Sequence, residues 1–597
     1  MKRFFLPLFL IISVNLILAQ KGDSNPQITA YEILGHITFL ASDDLEGRMT
    51  GSPGCYTAGD YIKSEFQSYG LQPLFEGSFF QLFPFIEGVE ITEANRLSVT
   101  VNGESTELKL YEDFTTASFS GNKEISAGLV FAGYGLTVPP MQYDDYADIN
   151  VTGKIVVVMN YHPEYNSTES MFDKFSSLRQ KAANARDKGA EGIIFVNGHH
   201  PDFGDELMKP DYDGASGMQD FAVMQVKRNI IDELFKKEGA DFAGHQKKID
   251  ETKKPASFTF QNTSAEIKTE INYIEKTARN VGGWIEGNDP LLKDEFIVIG
   301  AHYDHIGWGK KNSRYGGSDL QIHNGADDNA SGTTGVLELA EKFASVKDQL
   351  KKSIIFLAFT GEEMGVLGSA YFVNNSPVDL ANIVAMLNMD MIGRVDEENN
   401  LTIIGTGTSS RWENIINEKN QYGFNLSLTQ DGFGGSDHLS FTQKGIPVLF
   451  FFTGIHDDYH MPGDDVDKIN SSGEEKVVNL VFDIAESVDK LTDRPDFVKV
   501  ERKAMPSRGR SKIKTGTIPE FSYQGTGYKI SGTTDGSPAA KAGLLEGDII
   551  IKFAGKQVDS IYDFMSAMSG ISMGDTVEVV VLRGDEEITI MMELTAE

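Results

Sequence analysis

Between Phe296 and His460 the chain repeatedly sets a short apolar run against a polar ending: IVIGAH (297–302), SIIFLAFTGEE (353–363), IVAMLNMD (383–390) and VLFFFTG (448–454). Runs this continuous, separated by segments of helical periodicity, predict strands buried on both faces of a mainly parallel sheet. Ligand sites in such sheets lie beyond the carboxyl ends of the strands. The residues that fall there are His302, Asp304 and His305 after the first run, Glu362 and Glu363 after the second, Asp390 after the third and His460 past the fourth. GADDNASG, between the first two runs, adds Asp327 and Asp328 before the helical stretch SGTTGVLELAEKF.

The same pattern divides the rest of the chain. ITAYEILGHITFLAS and CYTAGDYIKSEFQSYG read as helices on either side of the Gly-rich loop DDLEGRMTGSPG (43–54), whose Arg48 is within reach of a cleft. Alternation between 79 and 120 predicts the first strands of the main sheet. LVFAGYGL, KIVVVMNY and GIIFVNG read as strands of a separate block, with SSLRQKAANARDKGA as a helix between two of them. In that block His199 and His200 are expected to be solvent-exposed rather than ligands. A helix around 473–491 precedes a charged, basic linker, and 516–597 alternates strands with two short helices. The predicted organisation is a first part of the main domain at 27–124, an insert at 125–265, the remainder with the polar cluster at 266–494, a linker at 495–515 and a small β domain at 516–597.

Length agrees with this division, because 597 residues exceed what one core supports. A net charge of −33, which the short basic linker does not offset, argues against nucleic acid or an anionic membrane as partner. Lys2 and Arg3 before the apolar run Phe4–Ala19 predict a signal peptide at 1–19 and hence export to the periplasm, the cell surface or the medium; the run is too short for a stable membrane span. Cys55 is the one cysteine, so no intrachain disulfide is available, and its place in an amphipathic helix predicts a structural thiol.

The strand-end residues suit a pair of divalent metals. Of His302 and Asp304, one can ligate while the other fixes the imidazole tautomer. Asp328 is suited to bridge two ions through its two oxygens. Glu362 and Glu363 are adjacent and point in different directions, so that one can bind metal while the other serves as general base. Asp390 and His460 complete two histidines and three carboxylates. GTGTSS (405–410) reads as a strand-to-helix turn rather than a nucleotide loop, and no GxSxG elbow supports a serine hydrolase.

AHYDHIG, NGADDNASG, TGEEMGVLGS, NMDMIG and YHMPGDDVDKI, in this order, resemble the motifs of the co-catalytic two-zinc aminopeptidases, a family that includes bacterial leucyl aminopeptidases and glutamate carboxypeptidases. The resemblance implies an α/β fold with a mainly parallel mixed sheet sandwiched by helices. It implies two zinc ions per chain, one held by His302 and Asp390, the other by Glu363 and His460, with Asp328 bridging them. It further implies Glu362 as general base, Asp304 as orienting partner of His302, Tyr459 as hydroxyl donor to the developing oxyanion, a cis peptide after Asp328, and Asp464 as a supporting carboxylate. GFGGSDHLSF, with Asp437 and His438, stands where the family has a pocket-lining loop, which offers these two as substrate contacts.

The block 125–265 resembles a protease-associated domain and 516–597 resembles a PDZ domain of the bacterial protease type. The former implies a lid or substrate-restricting module; the latter implies capture of a peptide carboxyl terminus at a loop near Gly525–Ile530. The implied activity is hydrolysis of amino-terminal residues from peptides by a metal-activated water with Glu362 as base. Two alternatives share much of the pattern: a single-zinc glutaminyl cyclase, and a non-catalytic peptide-binding relative. The complete ligand set and the DNASG sequence after Asp327 favour the peptidase.

Overall fold

The computed structural model describes residues 26–500 and 515–594, apart from 168–169, 201–203, 521–522, 524, 534–536, 569–570 and 572–573. The expected signal peptide and most of the expected linker lie outside the described residues. No helix among the described residues is long and apolar enough to cross a membrane.

The main sheet is built from the apolar runs. Ser353–Phe359, Phe296–His302, Ile383–Met389 and Val448–Phe452 lie side by side and parallel, in that spatial order. Almost every residue in them is buried, as expected of strands covered on both faces. Ile271–Ile285 closes one side antiparallel, and Asn400–Ile404 with Asn425–Thr429 extends the other. Helices Ala30–Leu40, Pro53–Ser68, Gly332–Ser345 and Ser471–Lys490 pack on one face through Ile33, Ile37, Ile62, Phe66, Val336, Leu339, Val477 and Ile484. Leu367–Asn374 and His438–Gln443 cover the other through Phe372 and Phe441. Pro53–Ser68 starts where its sequence says it should: Ser52 accepts the Cys55 N–H and Pro53 occupies the first turn, where its missing N–H is harmless. The Cys55 thiol is buried in this packing, and burial pushes its pKa up to about 12, which leaves it without nucleophilic thiolate.

The insert has its own sheet, in which Lys123–Phe131, Ile155–Met159, Gly192–Val196 and Ala222–Val226 run parallel. Arg96–Val101, Glu104–Glu107 and Phe114–Thr116 also join it, ahead of residue 125, whereas Phe80–Ile91 pairs with Ile271–Ile285 in the main sheet. Alternation marks these segments as strands; which sheet Phe80–Ile91, Arg96–Val101 and Phe114–Thr116 enter depends on pairing partners more than 100 residues away.

The C-terminal domain is a sheet running Thr517–Pro519, Tyr528–Thr533, Ile549–Phe553, Thr576–Arg583, Glu586–Glu593, with helix Ile561–Met568. It is fastened to the insert. Arg186, on helix Leu178–Asp187, reaches Asp559 at 2.7 Å and Asp563 at 3.2 Å, both buried. The loop near Gly525–Ile530, expected to receive a chain end, is engaged here instead: Ser216 Oγ donates to Gly525 O at 2.6 Å and Gln219 Nε2 to Thr526 Oγ1 at 3.1 Å. Tyr528–Thr533 is paired on both sides, and among the described residues the sheet ends in Thr517–Pro519 on one side and Glu586–Glu593 on the other.

Candidate metal centre

Each strand delivers its polar ending to one place. His302 is the last residue of its strand, Asp390 directly follows Ile383–Met389, and Glu362 and Glu363 lie just beyond Phe359. Asp328 arrives from the turn that leads into helix Gly332–Ser345, with a cis peptide between Asp328 and Asn329, as the family resemblance implied. His460 comes from the loop after Val448–Phe452.

Their donor atoms form two groups that share Asp328. His302, Asp328 and Asp390 make one; His305, Asp328, Glu363 and His460 make the other, with the donor atoms of each group within 4.8 Å of one another. His302 Nε2 lies 3.5 Å from Asp328 Oδ1 and 3.4 Å from Asp390 Oδ2. His460 Nε2 lies 3.3 Å from Asp328 Oδ2 and 3.2 Å from Glu363 Oε2. The two oxygens of Asp328 thus face different histidines, as a bridging carboxylate requires. Imidazole nitrogens and carboxylate oxygens packed this closely are the donor set that zinc takes, and divalent charge would relieve the mutual repulsion of the carboxylates.

Electrostatics tell the same story. Burial disfavours the charged form of His302, yet Asp390 and Glu362 raise its pKa well above the ordinary value. His460 is likewise held up, to about 10, by Asp328 and Glu363 against the effect of burial. Burial, reinforced by Glu363, Asp390 and Asp437, pushes Glu362 well above the usual carboxylate range despite the opposing influence of His302. Glu363 goes the other way, because His305 and His460 outweigh its burial. The two neighbouring glutamates are therefore shifted in opposite directions by their different surroundings.

Supporting groups fix this geometry. Asp304 is fully buried; its Oδ2 accepts from Thr50 Oγ1 at 2.6 Å and its Oδ1 from the Glu362 N–H at 3.3 Å. His302 Nδ1 lies 3.8 Å from the Asp304 carboxylate but 3.1 Å from the Asp304 carbonyl, so the imidazole is oriented through the backbone of its expected partner. Asp464 Oδ2 accepts the N–H groups of Asp327 and Asp328, each at 3.0 Å, and its Oδ1 is paired with Arg394. The Tyr459 ring stacks on His460 with centroids 4.0 Å apart. Asp437 and His438 are wholly buried; Asp437 is in electrostatic range of His302, Asp304 and Asp390, and burial pushes it up to about 7. His438 stacks on Phe450, and burial lowers its pKa to about 3.

Arg48 is fully buried, and its guanidinium binds only backbone carbonyls. It donates to Tyr303 O at 2.8 Å, Asn324 O at 2.7 Å, Gly325 O at 3.0 Å and Leu40 O. Tyr303 O follows His302, Asn324 O and Gly325 O precede Asp328, and Leu40 O ends helix Ala30–Leu40. The sequence placed Arg48 near a cleft without a role, and it gave none to His305 beyond its position three residues after His302. Thr50 and Arg394 carried no local signal at all. In the insert, His199 is partly exposed and bonded to Asp232, as a surface histidine should be; His200 departs from expectation, being 5% exposed beneath Tyr134, Tyr165 and Gln246.

Three stretches match family sequence models: peptidase family M28 at 280–485, the PA domain at 125–232 and the PDZ domain at 519–594. The chain is similar to Aminopeptidase YwaD of Bacillus subtilis (strain 168), 29% identical over 339 residues that cover 55% of this chain and 64% of that protein. It is 31% identical over 169 residues to Leupeptin-inactivating enzyme 1 of Streptomyces exfoliatus, covering 28% of this chain and 34% of that protein. It thus spans less than two thirds of either relative. Among solved structures, an aminopeptidase from Aneurinibacillus sp. strain AM-1 aligns over 80% of this chain and 96% of its own, with 22% identity and a TM-score of 0.46.

Proposed function

We propose, from the premise that residues 280–485 place this chain in peptidase family M28, that it is an exported zinc aminopeptidase releasing residues from the free amino termini of peptides. The observation that carries the reading is the pair of donor groups joined at Asp328, with Glu362 beside them and outside both. His302, Asp328 and Asp390 would hold one zinc, and Asp328, Glu363 and His460 the other. Bound there, zinc polarises a carbonyl and makes water more acidic.

The remaining chemistry belongs to the chain. Glu362 is the base: it takes the proton of the attacking water and returns it to the leaving amine, a task suited to a carboxylate with raised proton affinity. Asp304, through the Glu362 N–H, keeps that carboxylate at the cluster. Tyr459, packed on His460, offers its hydroxyl to the developing oxyanion. Asp437 and His438 shape the pocket around the first substrate residue. The basic and apolar amino-terminal run supports export. The PDZ domain would take peptide termini by strand addition at Thr517–Pro519.

Metal analysis of the mature protein, paired with mass spectrometry of a peptide library, tests the reading. Two zinc ions per chain and shortening from the amino terminus that chelation stops are expected. One ion, with ammonia lost from Gln-initiated peptides and no shortening, would overturn it in favour of a glutaminyl cyclase.

A further inference from the structure

The two donor groups are unequal, and His305 makes them so. Its side chain is fully buried, with Nδ1 2.7 Å from Glu363 Oε1 and 3.8 Å from Asp328 Oδ2. Its ring centroid lies 5.6 Å from that of His460, and Nε2 has no hydrogen-bond partner among the described residues. The ring is also locked in place. The His305 N–H donates to Arg48 O at 3.2 Å, and the ring packs against Gly325, where an added Cβ would come within 2.6 Å of Cδ2. Gly325 adopts φ +57°, so glycine is required there both for the backbone and for the imidazole's space.

We propose that His305 is a metal ligand through Nδ1, so that one ion has four protein donors (His305, Asp328, Glu363, His460) and the other three (His302, Asp328, Asp390). Four protein donors satisfy a tetrahedral ion and close its site, whereas three leave a position open. The four-donor ion is then the retained, structural member of the pair. The three-donor ion is the exchangeable one and the one that meets water and substrate. This inference rests on the metal-dependent reading above.

The test needs no turnover. Zinc is titrated into chelator-stripped protein against a competing chromophoric chelator, for the wild type, His305→Ala and His305→Gln. The expected wild-type curve has two steps differing at least about 10-fold in affinity. In His305→Ala the tighter step weakens by about 10- to 100-fold and the weaker step stays in place. Glutamine can hydrogen-bond Glu363 but is a poor zinc ligand, so His305→Gln is expected to behave as the alanine variant does. Recovery of the tight step in His305→Gln would reduce His305 to an orienting partner of Glu363 and overturn the proposal. Equal affinity of the two ions in the wild type would overturn it without any variant. If the wild type takes up no zinc, the failure lies with the aminopeptidase reading; if it takes up two and His305→Ala takes them up identically, the failure lies with the role given to His305.

Discussion

Oδ2 of Asp328 lies 3.3 Å from Nε2 of His460, on the opposite side of the carboxylate from the oxygen that faces His302. One side chain thereby belongs to both donor groups. Asp328→Asn removes the charge and one good oxygen donor at once, so metal analysis of this variant should find both ions lost or bound at least about 10-fold more weakly. His302→Ala, which touches one group only, should leave one ion in place. An Asp328→Asn protein that keeps either ion at full affinity would show that the carboxylate does not bridge.

Glu362 stands in neither donor group, and burial with the neighbouring carboxylates raises its proton affinity. Glu362→Gln preserves size and hydrogen bonding and should leave the metal content unchanged. Turnover should fall by about 10²- to 10⁴-fold, the usual contribution of general base catalysis. Unchanged kcat in a metal-replete Glu362→Gln enzyme would remove Glu362 from the mechanism.

Arg48 ties carbonyls near His302 to carbonyls near Asp328, and no other described side chain bridges both segments in this way. Arg48→Met keeps the buried apolar volume and takes a donor from four carbonyl groups, of which Gly325 O keeps the Ala330 N–H, at about 1–3 kcal/mol for each buried polar group left unsatisfied. The expected outcome is a lower unfolding temperature in the metal-free protein together with weaker zinc binding. Arg48→Lys, which can reach only some of the carbonyls, should recover part of each. Full zinc affinity in a folded Arg48→Met protein would show that the arginine holds the fold alone.

How far the sequence foretold this centre depends on the range of the interaction concerned. The parallel strands were legible because burial on both faces leaves an uninterrupted apolar run, as in Ile354–Ala358. His302, Glu362, Glu363 and Asp390 were legible because they close such runs. Asp328 and His460 lie on loops, where residue type makes them candidates and motif resemblance divides them between the two ions. Arg48, Thr50 and Arg394 act through backbone carbonyls or through carboxylates distant in sequence, and residue type alone does not show such bonds. The entry of Arg96–Val101 into the insert's sheet was hidden for the same reason, since its partner is Phe258–Thr269. His200 was read as exposed because its neighbours in sequence are polar, whereas the tyrosines that cover it come from elsewhere.

Away from the metal centre, Glu338 predicts a pH dependence of stability. It is 3% exposed on helix Gly332–Ser345, and its carboxylate meets His36 Nε2 at 3.6 Å and the Thr29 N–H at 3.4 Å. Burial, then Glu32, Glu341 and Glu475, push its pKa from 4.5 up to about 8 against the help of the Thr29 N–H. Burial lowers His36 to about 4, so at neutral pH it is uncharged and offers no ion pair. Between pH 4.5 and about 8 the folded protein therefore holds a proton on Glu338 that the unfolded chain has released. The resulting stability is fully present below pH 4.5 and is lost as pH rises through about 8. Glu338→Gln cannot ionise and should escape this loss. At about 1.4 kcal/mol per pKa unit, the variant should gain roughly 2 kcal/mol or more on the wild type between pH 5 and pH 9. Paired thermal unfolding curves across that range measure the difference between the two proteins, which cancels the other titrating groups. A difference that stays flat with pH would mean that Glu338 ionises normally in the folded protein.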